Sequence, residues 1–428
     1  MSTNRSSSGS RMVVWVLFAL VLIIAPLVFG SSLALTLLSQ MGYSIIICLS
    51  YNMIFGQGGM LSFGHAVYTG FGGFAAIWAI NFVAERGINL PLPFIPLFGG
   101  LLGALAAFVS GYVITKKAGT TFAMITMGIG ELVAACANMF PGLFGGDGGI
   151  TTNRTYGTFL GLNFGSQMQM YYLIAFYCFI CTLLMYAFTG TPLGRMLNAV
   201  RDNPERVSFI GYNTQLVRWF SFIVAGFFAG IGGALACINF ELVNAADALG
   251  GARSGSYLLF TFLGGAGFFF GPIIGAVLLV LASVVLSELT QAWLLYMGAA
   301  FLLMVMFAPG GFASIIMANK RVIKAGQFGR LGVPYIGVLL TGIVAFVGVA
   351  ALIEMVYFKQ LNSGDGTAMA FAGVPLDVAS ASSWLGVVAL AAVGLGLFSW
   401  AWRRFAREWG AAQEAIEAQL NPKKEAHA

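Results

Sequence analysis

The residues able to do chemistry are few, and most lie in one stretch. Gly194 to Asn213 (GRMLNAVRDNPERVSFIGYN) holds Arg195, Arg201, Arg206, Asp202 and Glu205 in a chain that is only 8% charged. Charges at that density need water or a partner surface. Pro204 can open a short helix with Asp202 or Asn203 as its N-cap and Glu205 in the first turn, near the positive end of the helix dipole. A helix start bordered by arginines suits a partner surface carrying acids; a solvated loop is the plainer alternative. Catalysis finds little support. No G-x-x-x-x-G-K-[ST] occurs, so no P-loop cradles a nucleotide, and H-E-x-x-H is missing. Two histidines, His65 and His427, cannot build a His-rich metal site, and no cofactor is expected in this chain. Ser62 and His65 are close in sequence, but no oriented base or oxyanion motif accompanies them.

Three further sets of residues stand out. Glu131, in MITMGIGELVAACA, is the one acid near the middle of an apolar run, whereas Glu288 and Glu354 lie near predicted ends. A carboxylate in lipid costs several kcal/mol unless paired or hydrated. Glu131 therefore either bonds a neighbouring helix or meets substrate or pathway water. Gly56 to Gly73 (GQGGMLSFGHAVYTGFGG) carries Gln57, Ser62 and His65 among many glycines, which predicts irregular backbone buried against protein or lining a cavity. These three and Glu131 are the candidate pathway residues. In FGGDGGITT, Phe144 to Thr152, Gly146 and Gly148 flank Asp147 in a tight exposed turn. That turn is either an ordinary loop or a docking and gating loop.

The elements that must hold these residues are membrane helices. Across 428 residues, 59% hydrophobic and 14% aromatic content leaves too little polar surface for soluble domains; mean hydropathy is +0.89. The net charge of +6 does not point to nucleic acid, because the basic residues sit at the ends of apolar runs. Lipid offers the backbone no hydrogen bonds, so apolar stretches of about 20 residues should be helices. Twelve pieces follow, at roughly 12–29, 31–55, 62–82, 91–115, 120–140, 170–189, 214–239, 256–270, 271–289, 293–308, 332–357 and 384–402. The eighth and ninth run together through GGAGFFFGP and are either two spans or re-entrant half-helices. The first, after Arg11, reads as an uncleaved span because no A-x-A-like site follows it.

With both termini cytoplasmic and every piece crossing once, only Arg86, Arg154, Arg253 and Lys359 of the 21 lysines and arginines fall outside. The positive-inside rule expects that asymmetry. Gly226 with Gly230, and Gly271 with Gly275, are spaced to let helix backbones touch. Five cysteines fall in or at the edge of apolar stretches and behave as small hydrophobes, including the Cys178/Cys181 pair. After Phe312 a basic linker over 313–331 leads to two more spans within 332–402. The tail, 403–428, reads as an amphipathic helix with Phe405, Trp409, Ala412, Ile416 and Leu420 on one stripe. Such a stripe lies on the membrane surface or docks on a partner.

Taken together, these blocks resemble the LivM-type permease subunits of bacterial branched-chain amino-acid ABC importers. The resemblance rests on the Gly56–Gly73 block, TFAMITMGIGE at Thr121 to Glu131, FGGDGGIT at Phe144 to Thr151 and the Gly194–Asn213 stretch. It continues in GFFAGIGGAL at Gly226 to Leu235, GGAGFFFGPIIGA at Gly264 to Ala276 and FAPGGF at Phe307 to Phe312. It covers about 35–312 and leaves 1–34 as a tail with the first span. It implies an all-α polytopic membrane protein with a permease core of about ten spans, plus two additional C-terminal spans, in the bacterial inner membrane. It also implies a LivH-like second permease, two cytoplasmic ATPase subunits holding ATP and Mg, and a periplasmic substrate-binding protein. Arg201, Asp202, Asn203, Glu205, Arg206 and Gly211 then become the ATPase-coupling residues, since Glu205 and Gly211 keep the E-x-x-x-x-x-G spacing of ABC permease coupling motifs. Arg206 and Val207 stand where small alanines are common, and Glu131 where the resemblance leads one to expect Gln. Related importers carry urea, amides and aromatic carboxylates. The competing reading is a stand-alone secondary transporter coupled to ions at broken helices such as Phe262 to Pro272.

Overall fold

The computed structural model describes residues 4–88, 90–156, 161–308, 310–326, 328–361, 368–371 and 374–420; Lys423, Lys424 and part of the 359–383 loop lie outside them. Apolar runs become helices wherever the sequence supplies a stop and a cap. The helices, in order, are α1 (Asn4–Val28), α2 (Ser32–Ile54), α3 (Ala66–Arg86), α4 (Ile95–Ile114), α5 (Gly119–Met139) and α6 (Pro141–Phe144). Next come α7 (Gln167–Gly190), α8 (Pro192–Asp202), α9 (Pro204–Phe209), α10 (Thr214–Phe240), α11 (Ala245–Leu249) and α12 (Gly251–Gly264). The chain ends with α13 (Gly271–Leu281), α14 (Ser287–Leu289), α15 (Trp293–Phe307), α16 (Gly311–Lys324), α17 (Phe328–Leu361) and α18 (Ala381–Leu420). Two small antiparallel ribbons join β1 (Ile150–Thr151) to β2 (Leu242–Val243) and β3 (Ala368–Phe371) to β4 (Val374–Asp377).

Among the described residues, eight helices are long and apolar enough to cross a membrane, or nine if the pair beginning at Trp293 counts as one broken span. The chain is thus an all-α, multi-pass membrane protein. The stretch at 62–82 starts its helix only at Ala66, because Phe55 to His65 stays irregular. α12 has 14 residues, about 21 Å at 1.5 Å per residue, short of the ~30 Å hydrocarbon layer.

The chain divides into two units. The first, Met1–Ser283 with Phe301–Ser314, is built around α10. Its glycines lie against the backbones of α3 and α4: a Cβ on Gly230 would collide with the Gly99 carbonyl, one on Gly226 with Ala107, and one on Gly233 with the Thr69 carbonyl. Without a hydrophobic effect between helices in lipid, such backbone contact supplies the packing. The α12–α13 hairpin closes the same way, with Gly271 against the Gly265 carbonyl and Gly275 against that of Phe260.

The second unit comprises Val284–Ala300 and Ile315–Ala428. Here α17 and α18 run as a close pair, Gly348 against Ala391 and Gly394 against Ala345. Glu354 of α17 accepts from the Tyr296 hydroxyl at 3.1 Å and from Thr290. The stretch read as a basic linker is mostly helix, α16. The apolar stripe of the tail is covered by the chain itself: Phe405, Trp409, Ala412 and Ile416 pack with Val322, Leu331 and Tyr335. Ala412→Asp would bury a carboxylate at a position only 1% exposed and should free the end of α18. Limited trypsin digestion of the detergent-solubilised protein should then cut at Arg403–Arg407 much faster than in the wild type.

Candidate functional site

The wet stretch folds as an elbow of two short helices. Thr191 caps α8, its hydroxyl accepting from the Gly194 amide at 3.2 Å, and Pro192 takes the first helical position. α8 buries Gly194, Leu197 and Val200 and leaves Arg195, Arg201 and Asp202 exposed. The chain breaks at Asn203, whose extended backbone lets its side chain accept from the Arg206 amide at 2.9 Å. Asn203 is therefore the N-cap of α9, while Asp202 still belongs to α8 and pairs with Arg201 at 3.0 Å. An exposed ion pair of this kind contributes about 0–1 kcal/mol. Val207 alone anchors α9, and Gly211, at φ +96°, turns the chain into α10. A left-handed residue there favours glycine. Glu205 and Arg206 remain in the open.

Three residues that the sequence did not single out crown this elbow. Phe209 is 89% exposed, Ile210 68% and Tyr212 52%. Their signal was an apolar triplet within a charged stretch, which does not stand out where most residues are apolar.

Arg201 connects the elbow to the second site. Its Nη1 donates to the Gly56 carbonyl, and its methylenes lie so near Gly59 that a Cβ there would come within 2.8 Å of Arg201 Cγ. Gly56 begins the irregular segment, which is held from three sides. The Tyr51 hydroxyl donates to the Ser62 carbonyl at 2.8 Å, the Phe63 amide to Thr126 Oγ1 at 3.1 Å and the Ala66 amide to Ser254 Oγ at 2.9 Å. His65 Nε2 lies 2.9 Å from Ser50 Oγ. Four buried atoms here lack a hydrogen-bond partner among the described residues: Asn52 Oδ1, Gln57 Oε1, Ser62 Oγ and His65 Nδ1. Each such group costs about 1–3 kcal/mol unless a water or another small polar group meets it. Ser62 and His65 do not form a hydrolytic dyad, since the His65 ring engages Ser50 and Ser62 Oγ has no partner among the described residues.

The other candidates lie apart from this pair. Glu131 is exposed on α5, its Oε1 lying 2.8 Å from where a Cβ on Gly251 would stand. Asp147 is exposed too, but its loop is tied down: its carbonyl accepts from Asn244 at 2.9 Å, β1 pairs with β2, and Phe144 is buried with Phe74 and Ile77. Arg154, noted in the sequence only as an outside charge, binds the carbonyls of Asn239 and Gly165 and lies 3.7 Å from Glu241. It also lines a cavity of about 140 Å³ with Ser39, Gln167 and Asn239. Beside it in the same loop, burial pushes the Tyr156 phenol up to about 12. No group of three or more metal-ligating side chains occurs among the described residues.

Residues 33–309 match the family described as branched-chain amino acid transport system / permease component. The high-affinity branched-chain amino acid transport system permease protein LivM of Escherichia coli K12 is 26% identical over 313 residues, covering 67% of this chain and 71% of that one. LivM of Salmonella typhimurium LT2 is 26% identical over 310 residues, covering 66% and 70%. No solved structure matches the chain significantly. The chain belongs to the permease-component family of branched-chain amino acid transport systems.

Proposed function

We propose that this transport subunit forms half of the translocation pathway of an ABC importer for branched-chain amino acids or a closely related solute. It pairs with a LivH-like second permease. Two cytoplasmic ATPase subunits, which hold the ATP and Mg, dock on the α8–α9 elbow, and a periplasmic binding protein delivers the substrate. The protein lies in the bacterial inner membrane with both termini in the cytoplasm, as the distribution of Lys and Arg favours. The core has about ten spans, α12 and α13 counted among them, and the extension two. Whether α12 and α13 cross or dip, the hairpin returns the chain to the side it left, so the orientation of every other helix is unaffected. The family match leaves the stand-alone ion-coupled reading without support.

The observation that carries the coupling is the hold of Arg201 on Gly56. The elbow thereby touches the segment bearing Gln57, Ser62 and His65 through the Arg201 side chain, with Leu197 packed beside Gly58. A motor that shifts the elbow would pull on that segment through Arg201 at the end of α8. Two measurements on the complex reconstituted with all its partners in vesicles test this. Leucine uptake should require the ATPase subunits; uptake that persists without them would sink the proposal. Arg201→Ala should leave the ATPases bound yet reduce leucine uptake several-fold, and unchanged uptake would separate the elbow from the buried segment.

A further inference from the structure

α5 presents two faces of opposite character. Phe122, Ala123, Thr126, Gly130 and Ala137 are buried, and Thr126 and Gly130 lie on the irregular segment at Phe63 and Gly64. On the opposite side Thr121, Met124, Gly128, Glu131, Ala135 and Asn138 are all exposed, at spacings of three and four that put them on one stripe. Half of that stripe is polar. A carboxylate in the interior of a spanning helix is expensive against lipid, so this face must meet water, solute or protein.

Glu131 is open toward Gly128 and abuts the start of α12 at Gly251. Gly128, one turn earlier, has nothing within 4 Å of a Cβ position, and Gly251, the first residue of α12, is exposed and carries no side chain to cover the carboxylate. Among the described residues no cation lies within ion-pair distance of Glu131, and no hydrogen bond is made to it. A carboxylate without a counter-charge in a notch between two glycines is complementary to a small cation.

We infer that the Glu131 notch binds the ammonium group of the transported amino acid as it passes along α5. This rests on the pathway reading above and gives that pathway a chemical requirement, a protonated amine. A carboxylate or amide solute lacking an amine would gain nothing from the site. The inference also explains why α12 starts with a glycine beside Glu131, since any side chain there would occupy the notch.

Two experiments on the complete complex test it. In the first, Glu131→Cys is made in a Cys136→Ala background and treated with a water-borne cationic methanethiosulfonate. The thiol should react, and leucine loaded on the binding protein should slow the reaction. A thiol that stays unreactive would place Glu131 against lipid or sealed protein and overturn the inference. In the second, leucine delivered per ATP hydrolysed should fall at least tenfold in Glu131→Gln, recover in Glu131→Asp and fall again in Gly251→Val. A Glu131→Gln complex that matches the wild type would refute the ammonium contact. Loss of the second permease on purification of Glu131→Gln would assign the carboxylate to subunit contact instead, against the inference. If the wild-type complex moves no leucine, the branched-chain reading fails, and the thiol experiment still decides whether Glu131 faces an aqueous path.

Discussion

Replacing Gly233 by leucine should leave little folded protein in the membrane. The Cβ alone would collide with the Thr69 carbonyl of α3, and no rotamer relieves a clash with backbone. α3 and α10 would have to separate along the seam where Gly72 and Gly230 also meet. Overpacking of this kind costs about 1–3 kcal/mol in forgiving cores, and more is expected where two backbones touch. Set against a total stability of roughly 5–15 kcal/mol, that is enough to lose a single folded state. Size-exclusion profiles and thermal melts in detergent should show aggregation or a strongly lowered midpoint. Gly386→Ala, at a position with no atom within 4 Å of the new Cβ, should behave as wild type.

Phe209→Asp should have the opposite profile, an intact protein with a broken partnership. The ring is 89% exposed, so its removal should not disturb folding. If the elbow is the ATPase dock, a large exposed aromatic at its tip is the natural anchor, and truncating such an anchor costs about 2 kcal/mol or more, on the order of 30-fold in affinity. Co-purification of the ATPase subunits should fall accordingly while monodispersity is kept. Retention of full ATPase stoichiometry would move the dock elsewhere.

The sequence discloses these features unevenly, for physical reasons. Apolar length marks the spans, because lipid forces the backbone to satisfy itself. The cap of α9 was narrowed to Asp202 or Asn203 by residue type alone. The choice needed the structure, since it depends on where helical backbone ends, and α8 keeps Asp202. The exposure of Phe209 and Ile210 was not visible in the sequence because exposure is a tertiary property. For α5 the spacing defines a stripe, but which side faces inward is fixed by a hydrogen bond from Phe63, 63 residues away. The tail stripe left two destinations open in sequence; its cover, Val322 and Leu331, lies some 80 residues upstream. Glu131 could be marked as exceptional from its neighbours in sequence, whereas its lack of an ion-pair partner among the described residues could not.

The irregular segment between α2 and α3 also has a history during synthesis. Its Ala66 amide is satisfied by Ser254, 188 residues later in the chain. At roughly 5–20 residues per second, the ribosome needs on the order of 10–40 s to make that partner. Thr126 arrives sooner, so the segment is secured in two stages, first to α5 and then to α12. Until then non-helical backbone stands at the membrane incompletely bonded, a condition lipid does not tolerate alone. The newborn α2–α3 pair therefore has to be sheltered, by the insertion machinery or by water at the membrane surface, until the rest of the chain arrives.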